Sequence, residues 1–540
     1  MTLKKPAIIA LLSSSALVLS ACGGGVSPAR PDGTGSSAPA EYADNATFTM
    51  AVAADPGALD PATAVQGSTN LLLSYTYDTL TYIGRDGGLV PGLAESWQVE
   101  PSSVTFTLRK NVTCADGSPL GPAEVARSIN HVADPATKSP LLGVLIPAGV
   151  KAKADETAGT VTLSTPEASP FLLHSTVAVF IVCGKGLTDP ATLATTTSGS
   201  GPYQLTESVP GDHYTLTVRK GYTWGPGGSG TGERGIPQTV VLKVVSNEST
   251  AANLLLAGTI NAATFSGADR ARVENAPGII KTNQPGGNGE FFYNQGKGRP
   301  GADPAVRKAL SQAVNLDELA KISTQGTGAK TTGMTTLSPR PCRADSVTGH
   351  RPAYDPEAAK ATLDAAGWKA GADGIRQKDG KPLTIKVIYN TDYGAGPQAG
   401  AEYQADAWKK IGAAVELKGS ASGAWSDALF KTGDWDVSTV AIGVSLPSQL
   451  TGYLSGPTVP DGSNFANIQN AKYTELTGKA AGMLPDEGGC DTWAQAESAL
   501  FDNFDVVPVA GETQLFATKK AETFMPGGLA QPTLTRMLKD

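Results

Sequence analysis

The stretch "YDTLTYIGRDGGLVPGLAESWQVEPSSVTFTLRKNVTCADGSPLGPAEVARSI", residues 77–129, carries a strand pattern at its centre. Val104, Phe106 and Leu108 alternate there with Thr105, Thr107 and Arg109, the period of two that a half-buried strand requires. The segment "YTLTVRK" repeats the alternation with Tyr214, Leu216 and Val218. Farther on, "TVVLKVVSNESTAANLLLAGTI" runs from a valine-rich strand into a Ser/Asn-capped helix that stops at Gly258, a strand-to-helix unit of the α/β kind.

The same organisation continues toward the C-terminus. Asp303-Pro304 caps a helix over "AVRKALSQAVNLDELAKI", with Val306, Leu310, Ala313 and Val314 on one face, and Asp355-Pro356-Glu357 opens another that Gly367 closes. "LTIKVIYN" alternates as a strand, followed by a helix around "AEYQADAWKKIG" and a strand at "AAVEL". No tandem repeat of 20–50 residues is present, which excludes solenoids and propellers. A chain of 540 residues, 40% hydrophobic and 17% charged, is long enough for a sizeable core and for more than one lobe.

Residues 1–21 begin with Lys4 and Lys5, pass through "PAIIALLSSSALVLSA" and end in small residues, the order of a secretory signal peptide. Ser13, Ser14 and Ser15 interrupt the apolar run, which falls short of the roughly 20 residues that span a bilayer. Leu19-Ser20-Ala21-Cys22 resembles the bacterial lipobox. That resemblance implies a diacylglycerol on the Cys22 thiol and a protein held at the outer face of the cell membrane. Residues 22–46, rich in Gly, Ser, Pro and Ala, read as a lipidated flexible tether. As a coil, about 24 residues hold the body roughly 25–30 Å from the anchor.

Setting Cys22 aside leaves Cys114, Cys183, Cys342 and Cys490, an even number in an oxidising compartment, so two disulfides are expected from three possible pairings. None of the four sits in a C-x-x-C, and His131, His174, His213 and His350 lie far apart, which argues against a metal or other cofactor. The formal charge of −7 falls to −9 once Lys4 and Lys5 leave, and no Lys/Arg block remains to hold nucleic acid.

Catalytic signatures are missing. There is no G-x-S-x-G elbow and no H-E-x-x-H, and "GPGGSGTGERG" at 225–235 lacks the Gly-Lys-Ser/Thr ending of a phosphate loop and lies between strands. Asp434 and Asp436 in "GDWDV" have the residue type for acid/base work, but neighbouring aspartates are ordinary around an exposed turn. A secreted hydrolase is thereby disfavoured, and no catalytic residue is assigned.

In the opening stretch, Pro91 to Trp97 ("PGLAESW"), Val104 to Arg109 ("VTFTLR") and Asp116 to Leu120 ("DGSPL") resemble in order and spacing the signature of the family 5 extracellular solute-binding proteins. These are the dipeptide-, oligopeptide- and nickel-type receptors of ATP-driven (ABC) importers. "GSGPYQL" at 199–205, "LLLAGTINAATF" at 254–265, "FFYNQ" before "ADPAVRKALSQAVNLDEL", and residues 354–387 continue the resemblance in register. It implies a two-lobed α/β periplasmic-binding-protein-like (Venus flytrap) fold with a discontinuous N-terminal lobe, residues 47–290 completed by 510–540, and a C-terminal lobe over 291–509. The crossings are expected near Gly289–Asn294 and near Val507–Phe516. The layout pairs Cys114 with Cys183 and Cys342 with Cys490, leaving the hinge free, and loops this long gain about 4–5 kcal/mol each in the chain-entropy model.

The resemblance also implies a mechanism and a site. A small solute or peptide binds between the lobes, closure follows as a population shift, and permease subunits recognise the closed monomer. Dipeptide receptors of this family hold the ligand amine with an Asp where Ser445 stands, in the segment that includes Gly443. They hold its carboxylate with an Arg where Thr391 precedes Tyr393. Both charges are missing, and a buried amine without a counter-charge loses several kcal/mol, so longer or less charged ligands fit better than free dipeptides. Tyr393 and Trp425 fall at aromatic cleft positions, and Gln66, Gly67 and Ser68 in "AVQGSTN" lie where family members offer polar groups. The alternative reading is a two-lobed scaffold or regulator of the cell envelope that has lost transport.

Overall fold

In the computed structural model, residues 41–143 and 145–539 are described. The signal peptide, Cys22 and most of the tether lie outside them. The final residues assigned to the tether belong instead to the folded body. Ala43 N donates to Met537 O (2.9 Å) and Lys539 N to Glu41 O (2.8 Å), while Tyr42 bridges Leu538 and covers Gly235. An aromatic ring and paired backbone groups dock this segment despite its polar composition.

A ten-stranded mixed sheet organises the chain. From one edge its strands are Ala414–Ser420, Thr384–Asn390, Val437–Ile442, Ile279–Tyr293, Val506–Lys519, Ala262–Phe265, Thr47–Val52, Thr239–Val244, His213–Val218 and Tyr203–Val209. The two long central strands, Ile279–Tyr293 and Val506–Lys519, run antiparallel from the register Ile279↔Lys519 to Phe292↔Val506. The strands on one side come from the first half of the chain, those on the other from residues 384–442. They are called here the N-terminal and C-terminal lobes, joined by the crossing strands. The ladder slips between Pro285 and Asn288 and again between Gly289 and Glu290. Bulges with glycine bend and locally unpair a strand, so the connection is compliant where it leaves one lobe for the other.

The N-terminal lobe carries a second, antiparallel sheet in the order Ala94–Glu100, Ser103–Leu108, Thr160–Ser164, Lys151–Asp155. Val104, Phe106 and Leu108 point into its core with Val125 and Ile129 of the helix Pro122–Ala133, as the alternation requires. Helix signals elsewhere are realised by their atoms: Asn247 accepts from Thr250 N, Asp355 accepts from Ala358 N, and Gly258 and Gly367 take positive φ of 76° and 88°. The single helix expected after Asp303 is two, Pro304–Gln312 and Leu316–Ser323. Asn315 accepts from the N–H groups of Asp317 and Glu318 and starts the second helix afresh, which ends the first.

The disulfides are Cys114–Cys183 and Cys342–Cys490, one in each lobe. Asp434 and Asp436 are structural. Asp436 is buried, accepts from Lys386 N (2.8 Å) and pairs with Arg299 (3.3 Å), while Asp434 pairs with Lys386 (2.5 Å).

Asp78, fully buried, anchors the hairpin of strands Thr81–Ile83 and Leu89–Pro91, which reaches the cleft. Its carboxylate accepts from Tyr82 Oη (2.7 Å), Ser200 Oγ (2.7 Å), Tyr222 Oη (2.6 Å) and Trp224 Nε1 (2.9 Å). Asp78→Ala leaves four donors without their acceptor, at a cost of about 3 kcal/mol or more. Asp78→Asn, which keeps one acceptor oxygen, should lose less. Urea unfolding checks this, and a loss below about 1 kcal/mol for the alanine variant would contradict the anchoring role.

Candidate functional site

Side chains from both lobes and from the crossing strands meet in a cleft of contiguous compartments. The largest, about 620 Å³, is lined by Gln284, Gly286, Gln514 and Phe516 of the crossing strands, by Arg85 of the N-terminal lobe and by Leu337 of the C-terminal lobe. Ile83, Ser338, Pro526 and Gly527 also line a second compartment of about 160 Å³, which adds Asn70, His174, Phe180 and Ser445. A third, about 240 Å³, shares Leu145, Ser175 and Leu446 with the second and reaches Gln449 and Trp493.

Two loops fix the walls. On the C-terminal side the backbone N–H groups of Thr336 and Leu337 donate to Val444 O (3.0 Å each), placing Leu337 and Ser338 beside Ser445. Glu497, buried, accepts from Met334 N (3.1 Å) and Ser346 Oγ (2.6 Å), and the Cys342–Cys490 disulfide ties the same loop to its helix. Burial pushes the Glu497 carboxyl above the usual range. On the N-terminal side the Asp78-anchored hairpin presents Ile83 and Arg85, whose guanidinium lies 5.1 Å from the Phe524 ring centre. The lobes also touch elsewhere. Arg343 Nη1 donates to Asp86 O (2.9 Å), and the Phe171 ring lies 6.2 Å from that of Trp493.

The cleft is nearly neutral. Among the described lining residues of the three compartments, Arg85 is the one side chain with a full charge, and no carboxylate lines them. Gln284, Gln514, Asn70 and Ser445 supply uncharged donors and acceptors amid apolar walls, the lining of a small-solute site.

The sequence-assigned residues separate in space. Ser445 lines the second compartment, with its N–H donating to Gln449 Oε1 (3.1 Å). Gly443 lies nearby, where a side chain would meet Leu337 Cδ1 at 3.3 Å, so glycine admits the close approach of that loop. Gln66 and Gly67 are exposed at the start of the helix Gly67–Thr76, and Ser68 Oγ donates to Asp55 O (3.5 Å). None of the three lines a compartment; Asn70, on the same helix three residues after Gly67, does. Tyr393, 61% exposed, lines a different and smaller cavity. Trp425 is a core residue rather than a cleft wall. It is 9% exposed among Ile388, Leu429 and Val440, and its indole N–H donates to Ser438 Oγ (3.1 Å). The short helix Ser422–Asp427 turns it onto the sheet, which satisfies ring and N–H together.

Asn70, Arg85 and His174 were not singled out from sequence as cleft residues, and only Asn70, one turn beyond Gly67, had a local signal. His174 is held between Phe171 and the cleft, where burial pushes its pKa down to about 4 against a weaker opposite pull from Asp486. Its folded pKa lies below the unfolded value of about 6.5, so the unfolded chain binds the extra proton. Stability present above pH 6.5 is therefore lost as the pH falls through 4. The loss attributable to this group is about 3 kcal/mol, and His174→Gln should remove it from the acid limb of a urea-midpoint-against-pH curve. Parallel curves for the two proteins would contradict the assignment.

Comparison with known proteins identifies the architecture. Residues 88–460 match the model of the bacterial extracellular solute-binding proteins, family 5 (middle region). The periplasmic murein peptide-binding protein MppA of Escherichia coli strain K12 is 26% identical over 492 residues, 84% of this chain and 86% of its own. The dipeptide-binding protein of the same organism is 26% identical over 468 residues, 80% and 82% of the two chains. A substrate binding protein from Microbacterium hydrocarbonoxydans, solved in complex with 4-hydroxybenzoate hydrazide, aligns with a TM-score of 0.67 at 27% identity, covering 91% of this chain and all of its own. The chain thus belongs to family 5 of the bacterial extracellular solute-binding proteins, the receptors through which ABC importers take up peptides or related ligands, and is a binding protein rather than an enzyme.

Proposed function

We propose that this receptor is lipid-anchored through Cys22 at the outer face of the membrane and delivers a peptide-like solute, without a free ammonium group in the cleft, to its importer. The observation that carries the reading is the lining itself: amides and hydroxyls among apolar walls, one cation at Arg85 and no carboxylate among the described residues. An ammonium group moved from water into such a cleft finds neutral acceptors but no counter-charge, so its lost hydration is only partly returned. Amide groups exchange one set of neutral hydrogen bonds for another, and Arg85 offers a terminal carboxylate a charged partner. In agreement, the ligand of the Microbacterium protein, 4-hydroxybenzoate hydrazide, bears neither an ammonium nor a carboxylate. Capture proceeds by closure of the two lobes, whose boundaries we place near residues 290 and 510, with the bulged crossing strands as the hinge.

A thermal-shift screen of peptides, amino-terminally blocked peptides, acyl hydrazides, sugars and metal chelates tests the reading. A ligand at 100 times its Kd stabilises by about 2.7 kcal/mol. For a chain of this length that is a rise of about 2–3 °C in Tm. Blocked or neutral compounds are expected to shift the protein more than free dipeptides, and failure of every class would overturn the receptor reading. Separately, Cys22→Ser should release an intact body into the medium, as fractionation would show; a variant still bound to membranes would contradict the lipid anchor.

A further inference from the structure

The segment Thr332–Ser346 of the C-terminal lobe contains no helix or strand and closes on itself, Ser346 N donating to Thr332 O (2.9 Å), the form of an Ω-loop. Leu337, Ser338 and Pro339 of this loop wall the cleft. Its tip also reaches the N-terminal lobe. Arg343 Nη1 donates to Asp86 O (2.9 Å), and Cys342 belongs to one buried apolar cluster with Phe171 of the N-terminal lobe and Leu446, Ala480 and Trp493 of its own.

Little else holds that tip. Among the described residues, 338–344 make no backbone–backbone hydrogen bond. Arg340 Nη2 donates to Thr332 Oγ1 (3.0 Å) and Arg343 Nε to Arg340 O (3.2 Å), both within the loop itself. The covalent tie from the tip to the body of its lobe is the disulfide to Cys490, on the helix Gly489–Asp502.

The two bridges differ in what covers them. Cys114 and Cys183 are each 1% exposed inside the core of the N-terminal lobe. Cys342 is 7% exposed, Cys490 is partly exposed, and Phe171, which forms part of their cover, comes from the opposite lobe. A thiolate exchanges with a disulfide only where it can reach a sulfur. A small dithiol therefore has access to Cys342–Cys490 in the folded protein and not to Cys114–Cys183, and the access widens as the lobes part.

We propose that Cys342–Cys490 is a reversible thiol–disulfide site for a dithiol, and that its oxidised state holds the loop that clasps the lobes together. One thiolate of the dithiol attacks a sulfur of the bridge, forming a mixed disulfide and releasing the other cysteine. The second thiol then displaces the remaining cysteine and closes the reagent's own disulfide. Two electrons pass to the bridge, and the two protons of the dithiol end on Cys342 and Cys490. The untied tip no longer holds Arg343 against Asp86 or completes the cluster around Phe171, so the balance between open and closed lobes shifts toward open. The bridge positions the clasp and does not touch the solute. Its consequence for capture rests on the receptor reading, but its test needs no solute.

The test uses the full chain carrying Cys22→Ser, whose remaining cysteines are the four in the bridges. It is treated with dithiothreitol without denaturant, alkylated with iodoacetamide, mapped by mass spectrometry and measured by small-angle X-ray scattering. Alkylation at Cys342 and Cys490 at least tenfold faster than at Cys114 and Cys183 is expected, with a larger radius of gyration that returns on reoxidation. Cys342→Ser/Cys490→Ser should be expanded without dithiol. Phe171→Ala, which keeps the bridge, should be expanded too and lose the bridge to dithiothreitol several-fold faster. Equal reduction of both bridges, resistance of Cys342–Cys490, an unchanged radius after its reduction, or loss of helical circular dichroism along with it overturns the inference. A solute from the thermal-shift screen that binds oxidised and reduced protein equally removes the clasp and leaves the receptor reading standing, whereas failure of every class in that screen removes the receptor reading without touching the scattering result.

Discussion

The antiparallel ladder between Ile279–Tyr293 and Val506–Lys519 is the connection on which the rest of the molecule depends. Each lobe hangs its own strands on this pair, so the ladder sets both the continuity of the ten-stranded sheet and the place where the chain passes from one lobe to the other. Its register slips flank Gly286, Gly287 and Gly289, and backbone without side chains bends there at little steric cost. The disulfides reinforce the division. Cys114–Cys183 and Cys342–Cys490 each close a loop within one lobe, so neither spans the ladder, and the covalent constraints leave its bending free.

Around that ladder the cleft is built from groups that arrive from widely separated parts of the chain, and their charge balance shapes what binds. A site lined by Gln284, Gln514, Asn70 and Ser445 offers hydrogen bonds without a fixed ionic demand. The contacts outside the cleft, Phe171 on Trp493 and Arg343 on the Asp86 carbonyl, are broken when the lobes separate and so favour the approach of the two halves seen here.

Much of the fold was legible because its signals are local. Alternation named the strand at Ser103–Leu108, and the side chains of Asn247, Asp303 and Asp355 start helices by accepting backbone N–H groups a few residues away. The same local chemistry, under-read at Asn315, broke a helix expected to be continuous. The site was less legible. Ser445 lines a cleft compartment, while Trp425 turned into the core and Tyr393 joined a different cavity. Nothing near His174 in the sequence announces that it will share a cleft compartment with Ser445.

By itself the sequence determined the α/β class, most helix starts and the cysteines available for two bridges. Each of these is a property of residue type or of neighbours within a turn of chain. Tertiary structure alone decided which side chains share a cavity. That choice depends on the crossing of two strands more than 200 residues apart and on loops held by Asp78, Glu497 and Cys342–Cys490.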